Sequence, residues 1–263
     1  MSDHERVTPI MGTELARQME RVRRSGELGY RSAQPATWCP GCGYHGVALA
    51  LTRGAAAAQV PPHQLVFVAG AGCAAWMPRS LRGYGIEALA GTALAVAAGA
   101  KLARPDLTVV AVGGDADILA SGAGGLSAAA ARNLPVTALI VDNGRCGLIH
   151  GLPSPVGVAD PLTTALEAGA TLAGRGWTGK PDALGDIIAR ALRHPGFAVV
   201  VAVSPCITYD MERLTWDRLY EAWQPVPAGH DPADRAAALA LARREPFIHG
   251  ILYERQSGDR LKV

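Results

Sequence analysis

Uninterrupted apolar runs recur along the chain at 65–69, 107–112, 136–141 and 197–203. Runs without polar alternation are those of strands covered on both faces. Between and around them lie Ala-rich stretches with helical spacing at 45–58, 92–103, 118–133, 161–173, 183–193 and 232–244. The last opens on Asp231-Pro232, a capping residue followed by proline at the first helical position. Strands alternating with helices predict an α/β fold with a doubly wound, mostly parallel sheet. Residues 1–30 are charged and mildly amphipathic and read as an N-terminal arm or lead-in helix. Residues 31–263 read as one domain.

A sheet of this kind binds ligands beyond the carboxyl ends of its strands. The unusual residues fall there. Gly70-Ala71-Gly72-Cys73 follows the first run and Gly113-Gly114-Asp115 the second. Asp142-Asn143-Gly144 follows the third and Ser204-Pro205-Cys206 the fourth.

Composition narrows the classes. Of 263 residues 49% are apolar, enough for a sizeable core, and only 18% are charged. That charge is below the globular average of about 25%, so part of the surface is expected to be covered by partner subunits. The net charge of +2 comes without a basic block, which argues against a nucleic-acid partner. The first ten residues lack an apolar signal core, and the longest apolar stretch, 86–100, is interrupted by glycine. No membrane association and a cytoplasmic location are expected. In a reducing compartment structural disulfides are improbable, so the five cysteines require another account.

Trp38-Cys39-Pro40-Gly41-Cys42-Gly43 holds two thiols in a tight turn. Such a pair grips one iron–sulfur cluster or one zinc ion. Gly41 and Gly43 let backbone N–H groups approach the sulfurs. Cys73 and Cys206, each at a strand end, complete a set of four. An iron–sulfur cluster is the reading preferred. A zinc site, a thioredoxin-like dithiol and simple buried cysteines are the alternatives. Cys146 is left over and reads as a partly buried free thiol.

Gly113-Gly114-Asp115-Ala116-Asp117 supplies a carboxylate where a backbone can approach a phosphate, with Asn143 one strand later. A carboxylate and a side-chain carbonyl are hard donors suited to Mg²⁺. A helix N-terminus beginning near Asp117 would favour an anion. The alternative is ordinary turn chemistry, Asp as a cap and Asn-Gly as a turn. His45, beside the cysteine loop, and His150, after the Asn143 loop, are weak catalytic candidates; either can instead be structural.

In order along the chain stand WCPGCG at 38–43, GAGC at 70–73, GAKLARP at 99–105, VGGDAD at 112–117, ARNLPV at 131–136, Asp142-Asn143, SPCITY at 204–209 and the stretch 230–253. Together they resemble the β subunit of 2-oxoacid:ferredoxin oxidoreductases, the 2-oxoglutarate/pyruvate family of thiamine-diphosphate enzymes. The resemblance implies a thiamine-diphosphate-binding fold. It implies Cys39, Cys42, Cys73 and Cys206 as 4Fe–4S ligands. Asp115, Asn143 and the backbone carbonyl of Arg145 would hold Mg²⁺. Gly41, Cys42, Gly43, Gly72, Gly114, Asp115, Ala116, Asp117, Asn143, Gly147 and Leu148 would surround the cofactors. Coenzyme A would be co-substrate and ferredoxin the electron acceptor, in a hetero-oligomer of α–β pairs. The α subunit would supply the glutamate that activates the thiamine. The reaction implied is oxidative decarboxylation of a 2-oxoacid to acyl-CoA and CO₂, or its reverse.

The chain departs from that pattern at several positions. Gly-Asp-Gly is Gly114-Asp115-Ala116, tolerable if the backbone at Ala116 keeps a negative φ. Ser-Ser followed by a cation is Ala74-Ala75-Trp76. His-Gly-Arg is Ala90-Gly91-Thr92. The Tyr and Gln after the Asn motif are Cys146 and Leu152. These losses admit a second reading, a divergent non-catalytic electron-transfer or scaffold subunit. Trp76 would suit an aromatic or branched 2-oxoacid, or be a core residue.

Overall fold

The computed structural model describes residues 26–147, 150–154, 160–210, 212–243 and 247–255. Residues 1–25, which make up most of the expected arm, and Leu148 lie outside the described residues.

In chain order the strands are β1 (Leu65–Ala69), β2 (Tyr84–Glu87), β3 (Thr108–Gly114), β4 (Thr137–Asp142), β5 (Arg145–Cys146), β6 (Leu152–Pro153), β7 (Leu172–Trp177), β8 (Ala198–Val203), β9 (Gln224–Pro225) and β10 (Ile248–Glu254). The α-helices are α1 (Tyr44–Ala58), α2 (Met77–Ser80), α3 (Ala93–Ala103), α4 (Ala123–Ala131), α5 (Pro161–Ala168), α6 (Pro181–Arg193), α7 (Trp216–Ala222) and α8 (Arg235–Ala242). One sheet runs in the order β2-β1-β3-β4-β8-β7-β10-β9, and β5 pairs with β6 apart from it. From β2 to β7 every pairing is parallel; β10 runs antiparallel to β7. The doubly wound, mostly parallel sheet is as expected.

Alternate residues of the apolar runs enter two separate cores. Val66, Val68, Val109, Ala111, Ile140 and Val201 pack with Leu94, Leu126 and Leu162 of α3, α4 and α5. Leu65, Phe67, Val110, Val112, Leu139 and Val200 pack with Val47 and Leu51 of α1 and with Leu184 and Ile188 of α6. The sheet is thus clamped between two helical layers, and its central strand ends cannot shift without breaking both.

The four apolar runs are β1, β3, β4 and β8. Elsewhere the structure corrects the reading. The helix expected over 161–173 ends at Ala168, where Gly169 turns left-handed at φ 111°, and the chain becomes β7. Asp160 caps α5 by accepting from the N–H groups of Leu162 and Thr163. The helix expected over 232–244 begins at Arg235. Its cap is Asp234, which accepts from Ala236 and Ala237, and Asp231-Pro232 lies in the preceding turn. The helix expected over 118–133 is two pieces, a π-helical segment from Ala116 to Ser121 and then α4. A π turn inside a helix is frequently found at a functional site.

Strand β7 carries Arg175, 4% exposed, in the middle of the sheet. Its Nη2 donates to the Ala242 carbonyl at 2.9 Å and lies 3.4 Å from Asp160 Oδ1, so one guanidinium fastens α8 and the cap of α5 to β7. Arg175→Ala strands both partners. It is expected to lower the unfolding free energy by roughly 2–3 kcal/mol, at the low end for a broken buried pair because Asp160 is partly solvated. Chemical denaturation of the purified variant checks this; a midpoint equal to wild type would refute it.

Candidate functional site

The carboxyl ends of β1, β3, β4 and β8 lie side by side, and the loops leaving them meet the 38–43 loop that enters α1. They enclose one cleft. It is lined by Cys39, Cys42, Cys73 and Cys206, and by Gly72, Gly114, Ala116, Asp117, Asn143, Arg145 and Gly147. Ligand candidates up to 167 residues apart in sequence are thereby gathered at one end of the sheet.

Three contacts hold the cysteine loops together. Trp38 Nε1 donates to the Cys73 carbonyl at 2.8 Å, joining the first loop to the third cysteine. The Thr208 hydroxyl donates to Cys39 Sγ at 3.2 Å, joining the first loop to that of the fourth. Gly43 lies directly on Ser204: a Cβ there would stand 2.0 Å from Ser204 Oγ, so only glycine permits the approach. Within the first loop the Cys42 N–H donates to the Cys39 carbonyl at 3.0 Å, closing the tight turn.

The thiols act on one another. Burial pushes the Cys42 thiol up to about 11, with smaller contributions from Cys73, Cys206 and Cys39. Burial raises Cys73 too, followed by Cys206 and Cys39. Cys42 and Cys73 therefore resist becoming thiolates unless a cationic group draws the charge. Four cysteines lining one cleft are a donor set that suits an iron–sulfur cluster or a zinc ion. Among the described residues, no three His, Cys, Asp or Glu side chains form a group tight enough for one metal ion.

The acidic half lies alongside. Asp115 directly follows β3 and is 5% exposed. Burial raises its pKa, opposed in part by the Asn143 N–H at 3.5 Å. Asn143 Oδ1 accepts from the Arg145 N–H at 2.9 Å, which fixes the turn after β4 and leaves a lone pair on that oxygen. Burial pushes Asp142 up to about 6, and Asp115 adds to it. Asp117, also raised by burial, accepts from the Gly91 N–H at 2.8 Å and so ties the loop before α3 to the π-helical segment. These carboxyls favour a divalent cation by the same logic as the thiols. Ala116 is not among the residues with positive φ, so its methyl fits without backbone strain.

Several candidates fall elsewhere. Gly41 and Gly43 support the cysteine loop without lining the cleft. His45 is exposed; its Nε2 lies 3.3 Å from the Cys39 carbonyl and its ring meets Trp38 edge-on. His150 is exposed with φ 54° and does not line the cleft. The structure gives both histidines a local rather than a cleft-facing place. Leu148 cannot be placed. Cys146 is half-buried and does line the cleft. Residues not singled out from sequence also appear: Tyr44, 3% exposed and stacked on Trp38 at 5.7 Å, and Thr208. Their only signal was adjacency to Cys42 and Cys206. Trp76 lines the cleft, and the Arg79 guanidinium lies 4.7 Å over its ring while donating to Glu87 at 2.6 Å.

The thiamine pyrophosphate enzyme C-terminal TPP binding domain matches residues 70–202. The chain is 32% identical over 246 residues to the β subunit of 2-oxoacid:ferredoxin oxidoreductase 1 of Aeropyrum pernix, covering 84% of this chain and 77% of the relative. This chain belongs to the 2-oxoacid:ferredoxin oxidoreductase β-subunit family. To the corresponding subunit of Sulfolobus sp it is 34% identical over 249 residues, covering 83% and 82%. It also matches the structure of a 2-oxoglutarate:ferredoxin oxidoreductase from Magnetococcus marinus with 2-oxoglutarate, coenzyme A and succinyl-CoA bound. The TM-score is 0.85 at 34% identity, over 89% of this chain and 86% of that one. The resemblance seen in the motifs and the fold it implied are both borne out.

Thiol reactivity tests the geometry of this β-subunit cleft. At pH 8 a thiol titrating near 11 is thiolate in about one molecule per thousand. In metal-free protein Cys39, which is exposed, is expected to alkylate first and Cys42 last. Peptide mass mapping over time would show it, and equal rates at the two positions would contradict the arrangement.

Proposed function

We propose that this chain is the catalytic β subunit that holds thiamine diphosphate, its Mg²⁺ and one 4Fe–4S cluster, and that with an α subunit it oxidatively decarboxylates a 2-oxoacid. The observation that supports this reading is the single cleft lined by four cysteines, Asp117 and Asn143, with the buried Asp115 Oδ1 3.5 Å from the Asn143 N–H. A chain that served only as an electron-transfer scaffold would have no use for the acidic half of that cleft.

The residues divide the work. Cys39, Cys42, Cys73 and Cys206 would hold the cluster. Asp115, Asn143 and the Arg145 carbonyl would hold Mg²⁺, with Gly114 allowing a diphosphate close to the backbone. The N–H groups opening the π-helical segment add a favourable dipole for that anion. When bound, thiamine diphosphate supplies the electron sink for loss of CO₂, and the cluster supplies a one-electron exit towards ferredoxin. The chain's own task is to fix these groups at one sheet edge and keep water from the reacting carbon. Trp76 gives the substrate side an apolar wall. Coenzyme A would take the acyl group, and the activating glutamate would come from the α subunit. A ferredoxin-linked enzyme of this kind would work in the cytoplasm; separately, no helix among the described residues is long and apolar enough to cross a membrane.

The test is anaerobic co-purification with the α subunit, followed by a panel of 2-oxoacids with coenzyme A and a low-potential dye. Iron in the proportion of one cluster per chain, bound thiamine diphosphate and 2-oxoacid-dependent dye reduction are expected. Zinc in place of iron, or a complex that takes up no thiamine diphosphate, would overturn the reading. The two halves of the cleft should separate by mutation. Asp115→Asn is expected to weaken thiamine diphosphate binding by about 100-fold with iron retained. Cys206→Ala should lose iron while the cofactor still binds. The β chain alone is expected to bind thiamine diphosphate poorly and to decarboxylate nothing; robust turnover by it would contradict the need for a partner.

A further inference from the structure

Beneath the cleft lies a charged group that the proposed chemistry does not use. Asp210, four residues after the last cysteine, has a side chain with 0% exposure. Its N–H donates to the Cys206 carbonyl at 2.8 Å, fixing it to the fourth cysteine's turn. Its Oδ1 accepts from the Arg213 N–H at 2.8 Å and lies 3.5 Å from Arg145 Nη2, while Oδ2 lies 3.5 Å from Arg213 Nε. Arg213 continues the chain of contacts, its Nη2 donating to the Asn143 carbonyl at 2.8 Å. The guanidinium fills the space over Gly144, whose φ is 63° and where a Cβ would stand 1.8 Å from Nη2. One buried carboxylate thus holds two arginines. One of them grips the Asn143–Gly144 turn, and the other carries the backbone carbonyl assigned to Mg²⁺.

We propose that Asp210 is a positioning residue that locks the Mg²⁺-binding turn at residues 143–145 to the loop of the fourth cysteine, acting through Arg213 and Arg145. The inference rests on the assignment of that turn to the Mg²⁺–diphosphate group. It makes the Mg²⁺-binding turn depend on the loop that presents Cys206, which thereby sets the carbonyl and amide groups assigned to the metal. Removing the charge at Asp210 frees Arg213 and lets the turn relax, without touching a ligand.

The experiment uses the anaerobically purified α–β complex, with Asp210→Asn, Arg213→Gln and the double variant. Affinity for thiamine diphosphate with Mg²⁺ is read by tryptophan fluorescence, alongside iron content and melting temperature. Each single change is expected to weaken cofactor binding about tenfold, the scale of a lost partner behind a metal ligand. The double variant should be no weaker than the worse single one, because both changes break one chain of contacts. Iron content should remain that of wild type. Unchanged affinity, additive losses, or iron and cofactor lost together with a fall in melting temperature would each overturn the proposal. Should Asp210→Asn fail to fold, Arg213→Gln alone decides, since full affinity without that guanidinium is incompatible with the lock. A wild-type complex that binds no thiamine diphosphate would instead sink the functional assignment itself.

Discussion

The constraint on which the site depends is electrostatic: thiols and carboxyls gather at one end of a sheet, several of them withdrawn from water. Burial raises Cys42, Cys73, Asp115, Asp117 and Asp142 above their ordinary values, and for Cys42, Cys73 and Asp142 neighbouring groups of the same sign push further. Such an arrangement is costly to form and stays in place only if the backbone leaves it no alternative. The two apolar layers supply that rigidity. With helices on both faces of β1, β3, β4 and β8, the strand ends are fixed by ladders and by packing together. The side chains that follow these strands are therefore held by the fold itself.

The parts of this arrangement that could be read from sequence are those with a local cause. Four continuous β-branched runs became four central strands, because a strand buried on both faces needs no polar alternation. The ligand loops followed, since parallel strands put their carboxyl ends on one side. What escaped was decided by distant partners. Strand β7 reads Leu172-Ala173-Gly174-Arg175-Gly176-Trp177 behind an Ala-rich helix, and its arginine belongs in a sheet interior only because Ala242 and Asp160 receive it. Strand β2 is short, mostly exposed and paired on one side, so it has no apolar run to betray it. Strand β10 mixes His249 and Gly250 into an antiparallel ladder.

The site shows the same division. Cys73, Cys206, Asp115 and Asn143 announce themselves by chemistry at strand ends, and Cys39 and Cys42 by their spacing in the loop before α1. Trp38, Tyr44 and Thr208 matter through contacts across loops, and nothing in their own neighbourhood of sequence marks the partner. Asp210 and Arg213 are more remote still: a charged pair three residues apart reads as a solvated surface turn until the fold brings Asn143 against it.

Where the chain departs from its family also follows from position in the sheet. Asp115, Asn143 and Cys206 leave β3, β4 and β8, three adjacent central strands, and Cys73 leaves β1 beside them. A shift in any of these would disturb both helical layers. Five of the altered residues follow β1 and β2 instead. Ala74, Ala75 and Trp76 belong to a short 3₁₀ turn above β1, and Ala90 and Thr92 follow the edge strand β2. There the Thr92 hydroxyl turns back to the Leu89 carbonyl at 2.9 Å, away from ligands, and Ala90 presents only a methyl to the cleft. An edge strand carries few ladder bonds and can accept new side chains at little cost. Arg79 shows the consequence, since it reaches over Trp76 and is held there by Glu87 of β2 itself. The 3₁₀ turn that carries Ala74, Ala75 and Trp76 also carries Cys73, so the Trp38 Nε1 bond to the Cys73 carbonyl anchors one end of that turn while Trp76 lines the cleft at the other.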